Sequence, residues 1–312
     1  MMKRICISEF MDDAAVQALR AGFDLRYEPG WVDRRAELLD ALPGAQALIV
    51  RNRTQVDAAL LAGAPSLRVV GRLGVGLDNI DVEACRERGI RVIPAAGANA
   101  RSVAEYVVTT AALLLRGAYG SSAQVAAGQW PRARLSEGRE ALGKTLGLVG
   151  FGDIGRQAAA LAQAFGMQVA AFDPMLAADD PVWARTGVRS VALDTLLAQS
   201  DAVSLHVPLV AATRHLLDAQ RIAGMKRGAV LINTARGGVV DEAALAQALR
   251  DGHLGGAALD VFEHEPLPAG SVLADVPNLI LTPHIGGVTQ EANARVSMMI
   301  AQQVRQTLED MT

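Results

Sequence analysis

The stretch Lys144-Thr-Leu-Gly-Leu-Val-Gly-Phe-Gly-Asp-Ile-Gly155 is an apolar run that opens into Gly150, Gly152 and Gly155 at G-x-G-x-x-G spacing, ahead of an alanine-rich helical pattern. In such a turn the first glycine permits the bend, the second lets backbone approach a pyrophosphate, and the third allows helix to pack closely on strand. The helix N-terminus then faces the pyrophosphate, with Asp153 and Ile154 lining it. A second apolar run ends at Asp173, 18 residues after Gly155, where an acid can bond the adenosine ribose. Its carboxylate would repel a 2′-phosphate, and the following Pro174-Met-Leu-Ala-Ala offers no arginine to accept one. The expected cofactor is therefore NAD rather than NADP. A glycine-rich turn that binds nothing is the bland alternative, and the acid at this spacing weighs against it.

Three further residues stand at or just beyond the ends of predicted strands. Arg236 follows Val230-Leu-Ile-Asn-Thr-Ala, Glu265 lies in Leu259-Asp-Val-Phe-Glu-His-Glu-Pro266, and His284 lies in Leu281-Thr-Pro-His-Ile-Gly-Gly287. Ligands of open α/β sheets bind beyond these carboxyl edges. Taken singly, each has a plain reading: a surface ion pair, a turn residue, a solvated histidine. His206 and His264 compete with His284, while His215 and His253 are expected to be solvated.

The elements that must position these residues alternate along the chain. Ile5–Ile7, Ala47–Val50, Leu67–Leu73 and Arg91–Ile93 read as strands, separated by amphipathic helical stretches. That alternation predicts an α/β fold with a parallel sheet. The apolar pattern over residues 100–127 outlasts its neighbours, predicting a long helix or a broken pair and a change of domain. A second series follows, with strands expected at Thr145–Val149, Gln168–Phe172, Ala202–Leu205, Ala229–Ile232, Gly256–Leu259 and Leu279–Leu281. Val296, Met299, Ile300, Val304 and Leu308 then fall at helical spacing and are expected to pack back on the first domain. The expected division is 1–99 with 288–312, and 100–287.

Composition limits the alternatives. The chain has 312 residues, 51% hydrophobic and 20% charged, with a formal net charge of -3. It can bury large cores, and it carries no general electrostatic case for nucleic acid or an anionic membrane. No apolar stretch reaches the length of a membrane helix. Glu9, Asp12 and Asp13 interrupt any signal-peptide core, so a cytoplasmic location is expected. With only Cys6 and Cys85, neither a disulfide framework nor a structural zinc site is expected.

The order of the glycine turn, Asn-Thr-Ala-Arg-Gly-Gly238, Ala-Ala-Leu-Asp-Val-Phe-Glu-His-Glu-Pro266 and Leu-Thr-Pro-His-Ile-Gly286 resembles the D-isomer-specific 2-hydroxyacid dehydrogenases over nearly the whole chain. Val70-Gly-Arg-Leu-Gly-Val-Gly-Leu-Asp-Asn-Ile-Asp81 and Val50-Arg-Asn-Arg-Thr54 are similar to their phosphoglycerate dehydrogenase branch. The resemblance implies two Rossmann- or flavodoxin-like domains, the cofactor domain inserted into the substrate domain, with the catalytic cleft between them. It implies His284 as acid/base, Glu265 as the group that holds and charge-stabilises its ring, and Arg236 as the grip on the substrate carboxylate, aided by the amides of Val75 and Gly76. Asp260 would bind the nicotinamide carboxamide, and Val207, Pro208, Thr213, Thr234, Ala235 and Gly286 would line the cofactor. A homodimer is also implied, with the helical region after Ala100 and the loop to Lys144 in its interface; the apolar face of that region fits intramolecular core equally well.

Arg51, Arg53, Arg72, Arg132 and Arg134 exceed what one carboxylate requires. By the resemblance Arg51 and Arg72 face the far end of the substrate, and the loop carrying Arg132 and Arg134 reaches in from a partner subunit. This favours a second anion at C3, phosphate or sulfonate. Pro94 departs from the phosphoglycerate pattern, whereas Val-Ile-Pro-Ala-Ala-Gly-Ala-Asn99 and Gln-Trp-Pro-Arg-Ala-Arg134 are similar to the sulfolactate dehydrogenases of the family. Hydroxypyruvate/glyoxylate reduction is the alternative within the family. An NAD-sensing, corepressor-like binding protein is the alternative of another class.

Overall fold

The computed structural model describes residues 2–311 and contains two parallel sheets, each in its own compact unit: Met1–Asn99 with Val288–Thr312, and Ala100–Gly287. In the first unit the strands are β1 (Arg4–Ile7), β2 (Asp24–Tyr27), β3 (Ala45–Val50), β4 (Val69–Arg72) and β5 (Arg91–Pro94). Their spatial order is β2-β1-β3-β4-β5 and every pairing is parallel. Alternate side chains feed opposite faces. Ile5, Ile7, Ile49 and Val69 pack against Val296, Ile300 and Val304 of the helix Gln290–Asp310. Cys6, Leu48, Val50 and Val70 pack with Leu38, Leu60 and Leu61 on the other side.

β2 is a strand the sequence pattern does not announce. Asp-Leu-Arg-Tyr has no continuous apolar run, and the strand pairs only with β1. Lying at the edge, it needs little burial, and none of its four residues is fully buried.

The second unit holds β6 (Thr145–Val149), β7 (Gln168–Phe172), β8 (Arg189–Ser190), β9 (Ala202–Leu205), β10 (Val230–Asn233), β11 (Gly256–Leu259) and β12 (Leu279–Leu281). The order is β12-β11-β10-β9-β6-β7-β8. β6, β9, β10 and β11 are all but continuously buried, as strands covered on both faces must be. The helical region after Ala100 is broken: a helix spans Ala100–Arg116, and Gly117 at φ 63° ends it before the short helix Ser122–Ala126. Val103, Val107, Ala111 and Leu115 of the long helix pack with Leu146, Leu148, Ala158 and Ala162. These residues of the helix thus lie in the core of its own unit, the intramolecular alternative for its apolar face. Among the described residues no helix is long and apolar enough to cross a membrane, and both cysteines are free and buried.

Each sheet has one place where the chain reverses its direction of growth, β1/β3 in the first and β6/β9 in the second. Loops leave the carboxyl edge in opposite directions there and open a crevice for ligands.

Candidate active site

At the β6/β9 crevice, the turn after β6 runs over Gly150, Phe151 and Gly152 into the helix Asp153–Ala164. Gly150 has φ 96°, and a Cβ on it would lie 2.4 Å from the His206 carbonyl oxygen, so both conformation and space demand glycine. A Cβ on Gly155 would meet the Gly150 carbonyl at 2.5 Å, the close helix-to-turn packing the spacing predicts. Gly152 is the N-cap and offers no side-chain hydrogen bond, while space beside it is open. The amides of the first helical turn therefore have no side-chain cap and suit an anion. Asp153 is exposed in that turn, and Ile154 packs partly into the core.

Asp173 ends beyond β7 and is fixed in place: Oδ2 accepts from the Phe151 amide at 2.8 Å and Oδ1 from the Met175 amide at 2.9 Å. Each oxygen keeps a lone pair for a ribose hydroxyl. Thr234, after β10, has its Oγ1 shut off from solvent with no hydrogen-bond partner. Such an orphan is costly unless something bound satisfies it. Uncapped amides, a fixed acid and an orphan hydroxyl along one sheet edge fit a dinucleotide. Val207 is partly buried against the core, and the Thr213 hydroxyl closes its own loop on the Pro208 carbonyl at 2.5 Å.

The catalytic candidates stand at the ends of adjacent strands. His284 Nδ1 lies 2.8 Å from Glu265 Oε2, and Glu265 Oε1 accepts the Phe262 amide at 3.1 Å. With its other ring nitrogen held by a carboxylate, Nε2 is left for proton exchange. His284 sits at φ 55°, a left-handed conformation uncommon for a residue with a side chain. Asp260 enforces it. This carboxylate, 2% exposed, accepts the Ile285 amide on Oδ1 at 2.8 Å, the Gly286 amide on Oδ2 at 2.7 Å and the Thr282 hydroxyl at 2.6 Å. Its backbone carbonyl takes the His284 amide at 2.9 Å. Tyr106 reaches the same cluster through Thr282, 2.7 Å away. Asp260 thus has a structural part in shaping the His284 loop as well as the cofactor part the sequence suggests.

Arg236 owes its loop to Asn233, a residue the sequence reading leaves unremarked. Asn233 is 1% exposed; its Oδ1 accepts the Ala235 amide at 3.0 Å and its Nδ2 donates to the Arg236 carbonyl at 2.9 Å. Arg236 Nη1 donates to the Ala235 carbonyl at 2.6 Å. A Cβ on Gly237 would stand 1.7 Å from the Phe262 carbonyl oxygen. The Arg236 loop therefore touches the turn that carries Glu265, backbone against backbone.

One histidine differs from its expected solvation: His253 is part-buried, with Nε2 3.0 Å from the Ile222 carbonyl. His215 is exposed as expected, its Nε2 3.1 Å from Glu263 Oε1. His206, beneath Gly150, has a buried Nε2 without a partner, and burial pushes its pKa down to about 4. It is neutral near pH 7, unlike a proton donor.

The arginines divide between the units. Arg51 and Arg72 belong to the carboxyl edge of the first sheet, where Val75, 42% exposed, and Gly76 lie on a turn whose amides donate to no acceptor among the described residues. Arg132 and Arg134 belong to the second unit, in the short helix Arg132–Leu135. Arg134 donates to Gln124, and Arg132 lines a shallow pocket with Arg116 and the 77% exposed Trp130.

Residues 108–286 match the family model of the D-isomer specific 2-hydroxyacid dehydrogenase NAD-binding domain. The chain is 58% identical over 307 residues to the (S)-sulfolactate dehydrogenase of Chromohalobacter salexigens, covering 98% of this chain and 99% of that one. It is 39% identical over 304 residues to the hydroxypyruvate reductase of Thermotoga maritima, covering 96% and 97%. Among solved structures it is similar to D-lactate dehydrogenase from Aquifex aeolicus in complex with NAD and lactic acid, with a TM-score of 0.84, 29% identity and coverage of 99% and 96%.

Proposed function

From a chain that belongs to the D-isomer-specific 2-hydroxyacid dehydrogenases, we propose an enzyme acting at C2 of a small 2-hydroxy or 2-keto acid with a second anion at C3, sulfolactate and sulfopyruvate fitting best. The observation that carries the reading is the Glu265–His284 pair at 2.8 Å, on the sheet whose edge also presents Arg236 and the uncapped dinucleotide helix. The 58% identity to a sulfolactate dehydrogenase supports the sulfonate. The family is NAD-dependent, and NAD when bound supplies the hydride acceptor or donor. It would be held by the turn Gly150–Gly155 and Asp173, with Val207, Pro208, Thr213, Thr234, Ala235, Asp260 and Gly286 lining the rest.

His284 Nε2 takes the C2 hydroxyl proton in oxidation and returns it to the carbonyl oxygen in reduction. Glu265 keeps the Nδ1 proton facing away from substrate and offsets the charge of the imidazolium. Arg236 grips the C1 carboxylate with a planar fork that lysine lacks, and the amides of Val75 and Gly76 serve the same group. Arg51 and Arg72 take the C3 anion, with Arg132 and Arg134 contributed by a partner in a homodimer. The enzyme works in the cytoplasm.

The test is NADH oxidation by the purified protein with sulfopyruvate, phosphohydroxypyruvate, hydroxypyruvate and glyoxylate. A preference of about a hundredfold for one C3 anion, some 2.7 kcal/mol, is the expected result. Activity on the small keto acids alone would make this a hydroxypyruvate/glyoxylate reductase. No turnover with any of them, but tight NADH binding, would move the chain to the corepressor-like class. Arg72→Ala should raise KM for the C3-anionic substrate well above its effect on hydroxypyruvate.

A further inference from the structure

The loop that carries Arg51 is built around a buried carboxylate. Glu9 follows β1 and is 5% exposed. Its Oε1 accepts the amides of Arg51 at 2.8 Å and Thr54 at 3.0 Å, and its Oε2 those of Asn52 at 3.3 Å and Arg53 at 3.2 Å. Asn79, also buried, donates to the Thr54 carbonyl at 2.7 Å and the Arg51 carbonyl at 3.4 Å. Ser8 Oγ and Thr54 Oγ1 are 2.9 Å apart. Four consecutive amides converging on one carboxylate make an anion nest, here at the β1/β3 crevice and filled by the protein's own side chain. Those amides have nothing left for an external anion. Recognition at this point falls to side chains.

Two arginines leave the loop, and they are held differently. Arg53 pairs with the Asp33 carboxylate in an exposed ion pair, which cancels its charge locally. Arg51 Nη2 donates at 3.0 Å to the Asn293 side-chain oxygen, and its guanidinium lies 5.9 Å from the Phe10 ring centroid. Asn293 fixes the fork without neutralising it. Burial pulls the Arg51 pKa down, and the nearby Glu9 charge opposes the shift.

We propose that Glu9 and Asn293 are positioning residues for anion recognition: Glu9 fixes the loop of residues 51–54 by its amides, and Asn293 orients Arg51, rather than Arg53, for the C3 sulfonate or phosphate. The inference rests on the substrate reading above. The experiment is steady-state kinetics with NADH for sulfopyruvate, phosphohydroxypyruvate and hydroxypyruvate, on wild type, Arg51→Ala, Glu9→Gln, Asn293→Ala and Arg53→Ala. The readout is kcat/KM for each C3 anion divided by that for hydroxypyruvate, and the larger wild-type ratio tells sulfonate from phosphate.

The ratio should fall about a hundredfold in Arg51→Ala and about tenfold in Glu9→Gln and Asn293→Ala, the loss lying in KM for the C3 anion rather than kcat. Arg53→Ala should keep the ratio within about twofold, as expected for an exposed pair. If Arg51→Ala loses the ratio while Glu9→Gln and Asn293→Ala keep it, the positioning role is wrong and the substrate reading stands. An Arg53→Ala loss equal to that of Arg51→Ala overturns the choice of arginine. A wild type indifferent to both C3 anions removes the substrate reading and this inference together. Should Glu9→Gln fail to fold, Asn293→Ala decides, because its side-chain hydrogen bond is to the guanidinium and not to the loop backbone.

Discussion

At the β1/β3 crevice of the first unit, four backbone amides converge on the buried Glu9 carboxylate. At the β6/β9 crevice of the second, the helix Asp153–Ala164 begins at Gly152, with no side-chain cap and open space beside it. The two sheets share a parallel architecture and the same kind of switch point, yet one fills its anion site from within and the other leaves its helix start without a side-chain cap, as the proposed cofactor site requires. A nest satisfied internally becomes a rigid platform for charged side chains, whereas an unsatisfied one is a binding site for a phosphate. What separates the two is the residue that lies against the amides: a buried glutamate or a glycine.

The comparison can be broken at several points. The largest effect expected is at the proton-transfer group proposed for the second sheet: His284→Ala should lower turnover by roughly 10²–10⁴ with NADH affinity preserved, measured by stopped-flow and by cofactor fluorescence. Unchanged turnover would sink the assignment. Next, Gly150→Ala forces a Cβ to within 2.4 Å of the His206 carbonyl at φ 96°, and should cost about 2–3 kcal/mol in a denaturant melt. Gly152→Ala sharpens the contrast, because that Cβ meets no atom within 4 Å and φ is -75°. Its melt should match wild type while NADH binding weakens about tenfold from the lost backbone approach; an equal loss of stability in both variants would mean that the open turn is a folding requirement rather than a cofactor one.

The smallest effect is a pH dependence at His206. Burial lowers its folded-state pKa to about 4 from an ordinary 6.5, so between these values the unfolded chain binds the extra proton. Stability is then full above pH 6.5 and falls as pH drops toward 4, by about 1 kcal/mol between pH 6.5 and 5.5. His206→Asn should flatten that part of the acid limb. An unchanged slope would show that another group controls it.

Much of this was legible from residue order. The glycine turn, Asp173 and the strands that precede them announce themselves because a buried parallel strand must be continuously apolar and a pyrophosphate turn must be glycine. The edge strand Asp24–Tyr27 escaped because an edge needs no such run. Glu9, Asn79 and Tyr106 escaped for a different reason. Each acts by hydrogen-bonding backbone or a side chain distant in sequence, as Glu9 does with amides 42 to 45 residues away, and spacing along the chain carries no trace of that. His253 looked solvated for the same reason, since its partner, the Ile222 carbonyl, is 31 residues away. Asn233 escaped as well, although it bonds backbone only two and three residues on, inside the turn that carries Arg236.

By itself the sequence determined the class of chemistry: a dinucleotide turn, an acid at the ribose distance, and an arginine, a glutamate and a histidine after successive strands. Local backbone requirements and alternating burial are written residue by residue, so they survive without coordinates. Only the tertiary structure decided how those groups are held. It placed Glu265 against His284 Nδ1, put Asp260 under the His284 loop and pressed Gly237 onto the Phe262 carbonyl. It also spent Glu9 on the Arg51 loop. Buried polar groups must find partners wherever the fold brings them, and which partners those are depends on strand order, which no single segment encodes.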